Sequence, residues 1–120
     1  MRFEGYLYNI IDSRDSDSTD GAYAFRISLR PDSPIYAGHF PGFPITPGVA
    51  LLTIVRELLE RRLHRSLTLT SADDVKFLHP LTPAHNPVTI TFKEFRGNTV
   101  KTEVSTSTAL HARMTLSYEE

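Results

Sequence analysis

Residues 49–63 are the one long stretch of this chain with helical character, and most of the remainder alternates between apolar and polar residues. The run Val49-Ala50-Leu51-Leu52-Thr53-Ile54-Val55 is apolar on nearly every side, the mark of a helix buried within a fold rather than lying on its surface. Pro47-Gly48 opens it, as suits a first helical turn. Beyond Arg56 the helix becomes amphipathic, and Arg61, Arg62 and Arg65 fall where cations suit the C-terminal end of the helix dipole. A single buried helix has no helical partner, so strands must cover it.

Period-two segments at residues 3–11, 22–29, 72–78, 87–95, 99–106 and 109–118 supply them. The first two are expected to pair as a hairpin across the acidic, Ser-rich residues 12–20, and Arg96-Gly97-Asn98 is the tight turn of a second hairpin. Between Arg30 and Gly48, Pro31, Pro34, Pro41, Pro44 and Pro47 forbid both helix and sheet and predict a shaped, strained loop. Two strands, one buried helix and an antiparallel meander describe an α+β domain in which a curved sheet wraps a central helix.

At 120 residues the chain has room for one core, and we read residues 1–120 as a single domain. Thirteen Lys and Arg against fourteen Asp and Glu leave a net charge of −1, which offers no long-range attraction to nucleic acid or anionic lipid. Without cysteine the chain has neither disulfides nor a thiolate nucleophile, and no apolar run reaches membrane length. We therefore expect a soluble, cytoplasmic protein with no nucleic-acid or membrane partner and no metal.

Chemistry concentrates in Gly38-His39-Phe40-Pro41-Gly42-Phe43-Pro44-Ile45-Thr46-Pro47-Gly48-Val49. A rigid loop carries a histidine into the N-terminus of the buried helix, so an imidazole comes near free backbone N–H groups and the positive end of a dipole. That pairing suits a carbonyl compound losing an α-proton. The imidazole takes the proton, and the N–H of Gly48 or Val49 stabilises the enolate-like oxygen.

This segment closely resembles the signature of the 3-hydroxyacyl-(acyl carrier protein) dehydratases of the FabZ/FabA type, which have the hot-dog fold. Val75-Lys76-Phe77-Leu78-His79-Pro80-Leu81-Thr82-Pro83 is similar to the strand and turn that follow the helix in that family. The resemblance implies that His39 is the catalytic histidine and that the Gly48 N–H polarises a thioester carbonyl. It implies a tunnel for the acyl chain and phosphopantetheine arm walled by the helix, with Phe40, Pro47, Val49 and Glu57 against substrate. The implied partner is an acyl carrier protein, with no cofactor beyond the carrier's own phosphopantetheine. The implied assembly is a homodimer, a higher oligomer of dimers, or a heterodimer with a related dehydratase.

One position departs from the pattern. Where the family has a Glu or Asp on the helix, this chain has Thr53, whose hydroxyl cannot supply a proton as a carboxyl group can. We list Thr53 with the catalytic positions, either ordering a water or substrate hydroxyl or bonded to a helix carbonyl. Glu57 lies one turn further along the same stripe and reads as a displaced substitute or as a surface or interface charge paired with Arg61. The chain is thus expected to be a slow dehydratase or the impaired, carrier-binding partner of a complete one. A hot-dog thioesterase ranks lower. His64, His79, His85 and His111 read as solvated, and Arg56, Arg61, Arg62 and Arg65 as a carrier-docking patch or a solvated helix end.

Overall fold

The computed structural model describes residues 2–16, 21–37 and 44–120. Six strands form one antiparallel sheet: β1 (Tyr8–Asp15), β2 (Tyr23–Leu29), β3 (Thr68–Phe77), β4 (Val88–Arg96), β5 (Thr99–Ser105) and β6 (Leu110–Glu119). Two helices join them, a single turn α1 (Pro34–Ala37) and the long α2 (Gly48–Leu63), and a short 3₁₀ turn spans Pro83–His85. In space the strands run β1-β2-β4-β5-β6-β3.

The inward side chains explain the wrapping. Tyr23, Phe25, Ile27 and Leu29 of β2, Val88, Ile90 and Phe92 of β4, and Val100 and Val104 of β5 are buried with alternate residues of β6. They pack with Ala50, Leu51, Ile54, Val55, Leu58 and Leu59 of α2 in one core. Register shifts in β3 between Asp73 and Lys76 and in β4 between Lys93 and Arg96 add bulges, with Asp74 and Glu94 at positive φ, and bulges bend and twist a strand.

Several expectations shift. The first strand begins at Tyr8, because residues 5–7 form a turn fastened by Leu7 N–H to Phe3 C=O and Gly5 N–H to Tyr8 C=O. The segment from Arg30 to Gly48 is not free of helix, since Pro34 starts α1 with a φ already suited to a first turn. The strand after α2 does not lead a meander. β3 pairs with β6 at the far edge of the sheet, and the chain returns through Pro80, Pro83 and Pro87 to lay β4 beside β2.

Candidate active site

α2 begins without a side-chain cap. Pro47 occupies the N-cap, its carbonyl accepts from the N–H groups of Ala50 and Leu51 at 3.0 and 3.1 Å, and among the described residues no acceptor serves the N–H groups of Gly48 and Val49. Unused first-turn amides are donors in search of an oxygen. Behind them the Thr46 N–H donates to the Leu81 carbonyl at 2.8 Å, and the Thr46 hydroxyl meets the buried Tyr36 hydroxyl at 2.9 Å. Burial raises the Tyr36 pKa and the Thr46 contact pulls it back.

Over this helix end lies a groove of about 320 Å³, with Pro47, Gly48 and Leu51 on one side and Phe77, His79 and His111 on the other. Phe77 lies so near Gly48 that a Cβ there would stand 2.7 Å from its ring. Only glycine accepts the ring at that distance. Exposed Phe77 and Leu78 leave the mouth of the groove apolar, and Val49, the residue after Gly48, is 71% exposed.

His111 is not solvated. It is 2% exposed, its Nδ1 donates to the Pro80 carbonyl at 3.1 Å and approaches the His79 carbonyl at 3.3 Å, and its Nε2 accepts from the Thr106 hydroxyl at 2.9 Å. Two carbonyl acceptors on Nδ1 fix that tautomer. The His111 carbonyl in turn accepts from Leu78 and His79 N–H at 2.8 and 3.3 Å, so one buried residue fastens the whole turn after β3. His85 packs its ring 4.7 Å from that of His111, and its Nδ1 accepts from Thr82 N–H. No group of His, Asp and Glu fit to hold a metal ion occurs among the described residues.

Pro47 and Gly48 line the groove, while Val49, next along the helix, is not part of its lining. Thr53 follows one turn on, its hydroxyl donating to the Val49 carbonyl at 3.2 Å, which is the helix-carbonyl alternative. His39 and Phe40, like the expected strain around Pro41, lie outside the described residues. Glu57 is neither a surface charge nor paired with Arg61. It is 1% exposed and accepts from the N–H groups of Phe3 and Glu4 at 2.7 and 2.9 Å and from the Tyr8 hydroxyl at 3.0 Å. With both oxygens held by the N-terminal segment, it is not available as the acid that Thr53 lacks. Arg61 instead pairs with Glu4.

A larger cavity of about 900 Å³ lies at the other end of α2, among Arg2, Arg61, Arg62, Arg65 and Glu60. Its cations pair with carboxylates, Arg2 with Glu60, Arg61 with Glu4, Arg62 with Asp15 and Arg65 with Glu120, and Arg56 outside the cavity also pairs with Glu60. The arginines expected as a carrier-docking patch or a solvated helix end thus stand in ion pairs, with Arg61 and Arg65 more than half exposed.

Sequence reasoning missed His79, His111 and Phe77 as groove residues. Their segment was legible as the strand and turn after the helix, but its approach to the helix N-terminus depends on β3 reaching the sheet edge beside β6.

A curved antiparallel sheet folded round one long helix defines a hot-dog protein. The chain belongs to the ApeI-like dehydratase family, whose model matches residues 14–114. Among solved structures it is similar to a chain of the dehydratase heterocomplex ApeI:P from Xenorhabdus doucetiae, with 19% identity, 93% of this chain and 97% of that one covered, and a TM-score of 0.73. An uncharacterized protein from Erwinia carotovora subsp. atroseptica matches at 23% identity over 94% and 96% of the two chains, with a TM-score of 0.67. AziG of S. sahachiroi matches at 18% identity over 88% of each, with a TM-score of 0.61. No curated protein sequence matches the chain. No helix among the described residues is long and apolar enough to cross a membrane.

Proposed function

We propose that the protein dehydrates 3-hydroxyacyl thioesters carried on the phosphopantetheine arm of an acyl carrier protein, giving trans-2-enoyl thioesters. The reading is supported by membership of a dehydratase family and by the FabZ/FabA-like signature of residues 38–49. The observation that carries it is the uncapped first turn of α2 opening on an apolar-mouthed groove. In this reading the Gly48 N–H receives the thioester oxygen and lowers the cost of the enolate that forms when His39 removes the C2 proton. Phe40, Pro47 and Val49 line the acyl path, Thr53 shapes the helix wall, and Glu57 holds that wall from behind. Replacing His39 with Ala should abolish turnover of a 3-hydroxyacyl carrier. Turnover within about twofold of wild type would refute the assigned base.

A second reading is favoured by Thr53 and by the likeness to a chain of a dehydratase heterocomplex. In it this chain is one subunit of a pair, and a related subunit brings the carboxylate. Under this reading Thr53→Glu speeds the isolated chain at least tenfold, because a carboxyl then stands on the helix turn that lacks one.

A further inference from the structure

We infer that His79 is the acid of this site, donating the proton with which the C3 hydroxyl leaves as water. The inference rests on the dehydratase reading and names the group that the helix does not supply. It is reached through the state of each candidate around the groove. Thr53 spends its hydroxyl on the Val49 carbonyl, and Glu57 is enclosed by Phe3, Glu4 and Tyr8. Of the two titratable residues that line the groove among the described residues, His111 has both ring nitrogens engaged, Nδ1 by carbonyls and Nε2 by Thr106. His85, packed behind it, has its Nδ1 engaged by Thr82. His79 is the other. Its side chain is exposed, and among the described residues neither of its ring nitrogens has a hydrogen-bond partner.

Its position is built rather than incidental. The His79 N–H donates to the His111 carbonyl and the His79 carbonyl faces His111 Nδ1, both at 3.3 Å, so a buried residue holds its backbone on two sides. The two rings lie 6.4 Å apart, nearly perpendicular. Phe77, two residues earlier, rests on Gly48. The same short segment thus touches the helix end that receives the carbonyl and carries a free imidazole into the groove. Gly48 and His79 line the same groove, and in a 3-hydroxyacyl thioester the hydroxyl stands two carbons from the carbonyl carbon.

The step balances. His39 takes the C2 proton, and the C–H electron pair passes into the enolate whose oxygen is held by Gly48 N–H. The enolate pair then forms the C2–C3 double bond while the C3–O bond breaks. The departing oxygen takes a proton from the imidazolium of His79 and leaves as water. His39 ends protonated and His79 neutral, and exchange with solvent restores both. An imidazole is a competent acid near neutral pH, and a positioned acid is worth roughly 10²- to 10⁴-fold.

The test separates proton removal from hydroxide departure, since the first needs only the base and the helix amide. The purified full chain is given a 3-hydroxybutyryl thioester of N-acetylcysteamine in deuterated water, and elimination and deuterium entry at C2 are followed together by NMR. The expected result is that the ratio of elimination to exchange falls at least tenfold in His79→Ala and in His79→Gln, the latter keeping bulk and polarity without the acid. A ratio within twofold of wild type in both variants overturns the inference. Wild type that exchanges C2 without eliminating also overturns it, while leaving His39 as base intact. Wild type that does neither overturns the dehydratase reading itself, and the inference with it.

Discussion

The hydroxyls of Tyr36 and Thr46 meet at 2.9 Å in a buried contact that ties together the two sides of residues 38–43. Tyr36→Phe leaves the Thr46 hydroxyl buried without its partner and should cost about 1–3 kcal/mol in denaturant unfolding. Adding Thr46→Val, which removes the stranded hydroxyl, should return part of that loss. Equal stability of Tyr36→Phe and wild type would mean that the contact contributes nothing net.

Glu57 gives a second test. Its carboxylate accepts from two backbone N–H groups and a phenol, and because each oxygen faces a backbone N–H, Glu57→Gln sets its amide NH₂ against a donor that cannot accept. The expected loss is about 2–4 kcal/mol, with the N-terminal segment losing hydrogen-exchange protection first. A loss below about 1 kcal/mol, or uniform protection, would deny that this carboxylate fastens residues 3–8.

Gly48→Ala brings a methyl to within 2.7 Å of the outer end of the Phe77 ring, which is 53% exposed and free to swing. Stability should stay within about 1 kcal/mol, because alanine favours the helix while the ring is displaced. Dehydration should drop at least tenfold as the groove changes shape. Phe77→Ala in the same chain should recover much of it, a coupling that independent sites do not show. Unchanged activity in Gly48→Ala would remove this contact from the site.

The tyrosines predict alkaline behaviour. Burial raises the phenol pKa of Tyr8, where Glu57 adds to the effect, and of Tyr36 and Tyr118, and it pushes Tyr23 up to about 12 despite the Arg62 guanidinium 4.3 Å over its ring. In the unfolded chain these phenols ionise near 10.0, so below that pH their contribution to stability is complete. It should be lost as pH rises from about 10 through about 12, the unfolded state releasing protons that the native state keeps. Denaturant titrations across that window, read with tyrosinate absorbance, check the sign. Stability that is flat or rising there would contradict the burial of these rings.

Much of this architecture was legible because it rests on local periodicity. The helix expected over residues 49–63 forms as Gly48–Leu63, and the inward rows of β2, β4, β5 and β6 follow the alternation of their sequence. What escaped was set by distant segments. His111 sits opposite the inward Ala112 and Met114 and reads as polar-face, yet the turn after β3 covers it. Glu57 reads as surface because carboxylates usually are, and only a folded N-terminal segment supplies the two amides and the phenol that make its burial tolerable. The placement of β3 beside β6 was hidden for the same reason, since period two marks a strand without naming its neighbour.

That pairing has a consequence for how the molecule is made. β6 lies between β5 and β3, so the last of these six strands in chain order is an interior strand that unites the sheet. During synthesis β1, β2, β4 and β5 can associate before it arrives, while β3 emerges with no partner strand at all. Assembly in this order leaves a strand edge exposed to neighbouring nascent chains, a setting in which pairing between copies competes with completion of each one. A chain released after residue 109 would therefore hold a helix in a partial wrapping, with the turn that bears His79 lacking the histidine that anchors it.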